Sequence, residues 1–65
     1  MYVLKEKQEG IVNDYKKVLN YVFKSKTDLN LFYKNKVSNL LKKHNNIFID
    51  NKNGIKYTFE IINWD

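Results

Sequence analysis

The sequence predicts a small two-layer α+β domain. Its elements follow the order (β)-α-α-β-β, with two amphipathic helices packed on an antiparallel hairpin or three-stranded sheet. Three observations lead there. Apolar residues recur at helical spacing over 11–24 and again over 28–44. They alternate over 46–62 around a glycine-containing turn. The chain has 65 residues, enough for a single domain, 1–65, and no second one.

The first element is short. Residues 2–8 set Tyr2, Leu4 and Glu6 on one side of an extended chain, which predicts a strand, although Glu, Lys and Gln there also suit a helix. Gly10 then interrupts the pattern.

The helix expected over 11–24 places Ile11, Val12, Tyr15, Val18, Leu19, Val22 and Phe23 within a sector about 140° wide. Asn13, Lys17, Asn20 and Lys24 form its opposite stripe. Ser25 with Asp28 resembles a capping box and opens the next helix, with Thr27 as an alternative cap. That second helix, 28–44, lines one face with Leu29, Tyr33, Val37, Leu40 and Leu41, and Phe32 at the margin. Asn30, Lys34, Ser38 and Lys42 lie on its other side. Lys36 falls inside the apolar arc and is expected to snorkel. Lys42, Lys43 and His44 suit a helix C-terminus, and Asn45-Asn46 suit its end.

The hairpin register follows from parity. Ile47, Ile49, Ile55, Tyr57, Phe59 and Ile61 share a face only if the loop has an odd number of residues. A three-residue loop Lys52-Asn53-Gly54, with Gly54 in the left-handed position of a G1 bulge, achieves this and sets Asp50 opposite Lys56. Phe48 and Ile62 then fall on the outer face, and Trp64 packs against the sheet edge.

Composition excludes several kinds of chemistry. The chain has no Cys, so disulfides and thiolate metal sites are out. His44 is the only His and leaves neither a His-based metal site nor a catalytic triad. Two glycines cannot build a phosphate-cradling loop. We therefore expect no catalytic residues, no cofactor and no metal. No apolar run approaches the roughly 18 residues of a membrane span, and the apolar start is too short for a signal peptide, so no membrane association and a cytoplasmic location are expected. Lys, Asn, Ile, Tyr and Phe dominate, while Ala, Arg and Pro are absent. That pattern fits an A/T-rich genome of bacterial, phage or viral kind.

Charge is the most specific functional signal. Residues 16–43 hold eight lysines and one aspartate, a charge of +7, whereas four lysines and six carboxylates leave the rest at −2. A basic helical pair beside a hairpin predicts a small nucleic-acid-binding regulator of winged-helix type, such as a phage or mobile element encodes. DNA is the expected target rather than RNA. Lys17, Lys24, Lys34 and Lys42 would meet phosphates, Asn30, Asn35 and Ser38 base edges, and Lys52 at the hairpin tip the backbone. The absence of Arg removes bidentate guanine contacts. The alternative is a protein-binding module, for example a small inhibitor of a host protein. It would use exposed Leu31, Phe48 and Ile62 together with the lysine face, against an acidic protein surface. A homodimer through the same apolar residues is also expected to be open to the chain.

Overall fold

The computed structural model describes residues 1–63, so Trp64, and the packing expected of it, lies outside the described residues. Tyr2–Gly10 forms β1 and Lys16–Phe23 forms β2, joined by a loop over 11–15. One helix, α1, follows at Lys26–Val37. The chain then runs through β3 (Leu41–Lys42), β4 (Ile47–Asp50) and β5 (Ile55–Asn63). All five strands pair antiparallel in one sheet of order β2-β1-β5-β4-β3. The strand expected over 2–8 is present. The two-helix architecture is not: strand takes 51% of the described residues and helix 19%, so the sheet, not a helical pair, is the scaffold.

The first predicted helix is instead a loop and a strand. Its apolar residues divide by parity. Leu19, Tyr21 and Phe23 lie opposite Glu6, Leu4 and Tyr2, on the side where α1 packs. Val18 and Val22 lie on the other side, beside Lys7 and Val3. A strand with apolar residues on both faces has the same composition as a helix with a wide apolar arc. The β-branched and aromatic content of 16–23 favours the strand, and pairing along the length of β1 realises it. Gly10 makes the turn possible. Its N–H donates to the Tyr15 carbonyl at 2.8 Å, and a Cβ at residue 10 would run into the Asn13 side chain. Asn13 Oδ1 in turn accepts from the Tyr15 N–H at 3.0 Å.

The second predicted helix is correctly started and too long. Ser25 is the N-cap, its hydroxyl accepting from the Asp28 N–H at 3.2 Å. The helix stops at Val37, where both the N–H and the hydroxyl of Ser38 donate to the Asn35 carbonyl. Ser and Asn at 38–39 are weak helix formers. Leu41 and Lys42 then gain strand partners in Ile49 and Phe48.

The hairpin β4–β5 has a four-residue loop, and the expected three-residue loop is overturned. Asp50 pairs with Ile55, Ile49 with Lys56 and Phe48 with Tyr57. The shift of one residue turns every β4 side chain over. Phe48 joins Tyr57 and Phe59 on the core side, and Ile47 and Ile49 go to the outer side. Asp50 decides the turn. Its Oδ1 accepts from the N–H groups of Lys52 and Asn53, and its Oδ2 accepts from the Asn53 side chain at 2.8 Å. Gly54 takes the left-handed conformation, φ +65°, as expected.

The core lies between α1 and one side of the sheet. Leu4, Leu29, Phe48 and Phe59 are buried there. Tyr33 of α1 meets Phe59 and Phe48 edge-on, at 5.1 and 6.1 Å between ring centroids, and Phe32 meets Tyr21 and Phe23 at 4.7 and 5.3 Å. Large rings let one short helix seal this face. No described residue covers the other face.

Candidate functional site

Two arrangements hold the chemistry-bearing side chains. The first is a polar cluster under α1. Glu6 is on the core side of β1 and is 0% exposed. Its Oε1 lies 3.0 Å from the Lys36 ammonium, and its Oε2 accepts from the Gln8 side-chain amide. The same ammonium donates to the Tyr21 hydroxyl at 3.1 Å and sits over the Tyr21 ring at 5.1 Å. Gln8 Oε1 accepts from the Tyr15 hydroxyl at 2.9 Å. Three hydrogen bonds and one ion pair thus link five side chains from the β1–β2 loop to the helix.

Burial lowers the Lys36 pKa, but the hydrogen bonds to Tyr21 and Glu6 and the Glu6 charge outweigh it, and the net result is a raised value. Tyr33 and Tyr57 are raised as well, by burial first, and for Tyr57 also by the charges of Asp50 and Glu6. Glu6 Oε2 is hydrogen-bonded, while Oε1 has the Lys36 ion pair and no hydrogen-bond partner. Such an arrangement ties α1 to the sheet. Among the described residues no group of His, Asp and Glu could hold a metal ion.

The second arrangement is the outer side of the sheet with its β2 edge. Strand register defines it row by row. Val22, Val3 and Ile62 stand side by side across three strands at one end. Val22 is 57% and Ile62 42% exposed, and they flank Val3, which is 8% exposed. Next come Asn20, Lys5 and Glu60, then Val18, Lys7, Thr58 and Ile47. The last row is Lys16, Glu9, Lys56, Ile49 and Leu41. Ile11, Leu41 and Ile49 line a shallow depression at that corner. Lys5 stands opposite Glu60, and Lys16 and Lys56 both stand opposite Glu9, so two carboxylates oppose the four lysines of this face.

The β2 edge differs from the β3 edge. β3 is two residues long, whereas β2 is eight and, among the described residues, has no strand on its outer side. Gly10 bonds Tyr15, so in this ladder the bonded pairs join even residues of β1 to odd residues of β2. Lys16, Val18, Asn20 and Val22 therefore turn their N–H and C=O groups toward the open edge.

The expected nucleic-acid residues do not gather on one surface. Lys17 and Lys24 belong to the β2 edge, and Lys42 to the β3 edge. Four strand spacings, about 19 Å, separate those edges. Asn30, Lys34 and Asn35 are exposed on α1, Ser38 caps its end, and Lys52 is in the β4–β5 turn. The helix expected over 28–44 cannot present these residues together, because α1 ends at Val37. Among the expected interface residues, Phe48 is 6% exposed and belongs to the core. Ile62 is exposed on the outer sheet face, as expected, while Leu31 is exposed on α1, the opposite side of the molecule.

Sequence reasoning missed the Glu6–Lys36 pair, although both halves of the signal were present. Each is a charge inside an apolar pattern, and two such misfits commonly answer each other.

A comparison with protein-family models, curated proteins and solved structures found no match for this chain. Among the described residues no helix is long and apolar enough to cross a membrane.

Proposed function

We propose that the chain is a small non-enzymatic protein-binding module, of the kind that inhibits a host protein, and that its partner presents an acidic surface. The observation that carries this reading is the row in which exposed Val22 and Ile62 flank Val3, on a sheet face that no described residue covers. An apolar row rimmed by polar residues is the usual form of a docking surface. The net charge of +5 supports an acidic partner.

The test is affinity capture from nuclease-treated lysate of cells that carry the gene. A captured protein that is lost with Ile62→Asp and kept with Lys34→Ala supports the reading. Capture of nucleic acid alone, abolished by nuclease, overturns it.

The charge of +7 over residues 16–43 favours a second reading, binding to duplex DNA through dispersed phosphate contacts. Binding that weakens steeply with added salt and falls on substitution of Lys17 and Lys24 supports it. No binding at about 50 mM salt removes it.

A further inference from the structure

We propose that the β2 edge receives an extended acidic strand of the partner and continues the sheet to a sixth strand. The inference rests on the protein-binding reading above and names the mode of binding. The edge is long and free, and its outward backbone groups, at Lys16, Val18, Asn20 and Val22, form an unused ladder. Only lysines guard it: the strand has no Pro, no bulge and no charge between Lys17 and Lys24.

Its side chains specify the occupant. On the outer face the order along the strand is Lys16, Val18, Asn20 and Val22, and the exposed Lys24 follows directly after the end of β2. Between residues 15 and 27 there are four lysines and no acid. An incoming strand of the pattern acid-x-apolar-x-polar-x-apolar-x-acid sets its apolar residues beside Val18 and Val22. Its acids then meet Lys16 and Lys24. The pattern is symmetric, so it fits in either strand direction. Its inner apolar residues also extend the row formed by Val22, Val3 and Ile62.

A second copy of this chain fits less well. Antiparallel pairing about Asn20 matches Val18 with Val22 twice, but it places Lys16 on Lys24 at both ends. Each copy also carries +5. The lysines that repel a second copy are those that attract an acidic strand, which keeps the edge free until the partner arrives.

The experiment uses the full chain and a labelled synthetic peptide, Asp-Thr-Val-Thr-Asn-Thr-Val-Glu-Asp, followed by fluorescence anisotropy at low salt. A control peptide carries Lys at its three acidic positions. The acidic peptide is expected to bind at least about tenfold more tightly than the control. Asn20→Pro is expected to abolish binding, because the Asn20 N–H faces the open edge and its loss removes no bond to β1. The double variant Lys16→Glu with Lys24→Glu is expected to reverse the preference. It decides the matter even if Asn20→Pro fails to fold.

Absent binding, equal binding of both peptides, or sedimentation of the free chain as a dimer that Asn20→Pro dissociates overturns the proposal. Nuclease-resistant capture that depends on Ile62, with no peptide binding, removes the edge mode alone. Loss of both removes the protein-binding reading too.

Discussion

Glu6 and Lys36 make the arrangement under α1 unforgiving. A carboxylate with no exposed surface is tolerated because the Lys36 ammonium and the Gln8 amide engage its two oxygens. Lys36→Ala strands that charge and is expected to cost about 3 kcal/mol, near the low end for a buried pair because the ammonium stays partly wet. Urea midpoints check this. The double variant Glu6→Leu with Lys36→Met is expected to recover most of the loss, since an apolar pair of similar volume needs no solvation. The pair also has a pH signature. Lys36, Tyr33 and Tyr57 all have raised folded-state pKa values, so the folded state holds these protons more tightly. Their stabilisation is complete below about pH 10 and is lost as pH climbs through the raised values. The melting temperature is therefore expected to fall above about pH 10, and to fall less in the double variant, which keeps only the tyrosine contribution.

Single elements depend on local chemistry that the chain displays openly. Ser25→Ala removes the N-cap acceptor of α1 and is expected to cost about 1 kcal/mol by thermal or urea unfolding. The β4–β5 turn needs Gly54 for its backbone alone, since a Cβ there meets nothing within 4 Å. Gly54→Ala is expected to cost about 1 kcal/mol and Gly54→Asn clearly less, because Asn tolerates the left-handed region. The hydrogen bonds from Asn53 and then the neighbouring N–H groups hold the Asp50 carboxyl below the usual range. Its contribution is present at neutral pH and fades as pH falls through that lowered value. The Ser25 cap and the left-handed Gly54 were legible in the sequence for this reason: they rest on residue type and on partners three residues away or fewer. Residues 16–23 were not legible in the same way. Whether Val18, Leu19 and Val22 share a helix face or divide between two sheet faces depends on β1 and β5, which are distant in the chain. The hairpin register failed for a related reason. Parity favoured a set of four isoleucines with Tyr57 and Phe59, but Asp50 holds a four-residue loop, and Phe48 is a better ring partner for Tyr33, Tyr57 and Phe59.

At the scale of the molecule, one helix covers one side of a five-stranded sheet, and the core is correspondingly small. A chain of this length is expected to hold only about 3–5 kcal/mol of stability. Phe59→Ala or Phe48→Ala removes about 3–5 kcal/mol from a buried ring. Either variant is expected to be largely unfolded at 25 °C by circular dichroism, which separates Phe48 as core from Phe48 as a binding residue. Ile62→Asp, on the uncovered face, is expected to leave the unfolding midpoint nearly unchanged.

Sequence by itself determined the first strand, the start of α1, the presence of a β4–β5 hairpin, the lack of thiol chemistry and the total charge. These rest on residue identity and on contacts only a few positions apart. Tertiary structure alone decided that 16–23 is a strand, that Phe48 points inward, and that Glu6 and Lys36 meet. It also decided that the lysines disperse over two sheet edges, a helix and a turn. Each of those outcomes depends on which distant segment a residue faces, and pairing across the sheet, not local periodicity, sets that choice.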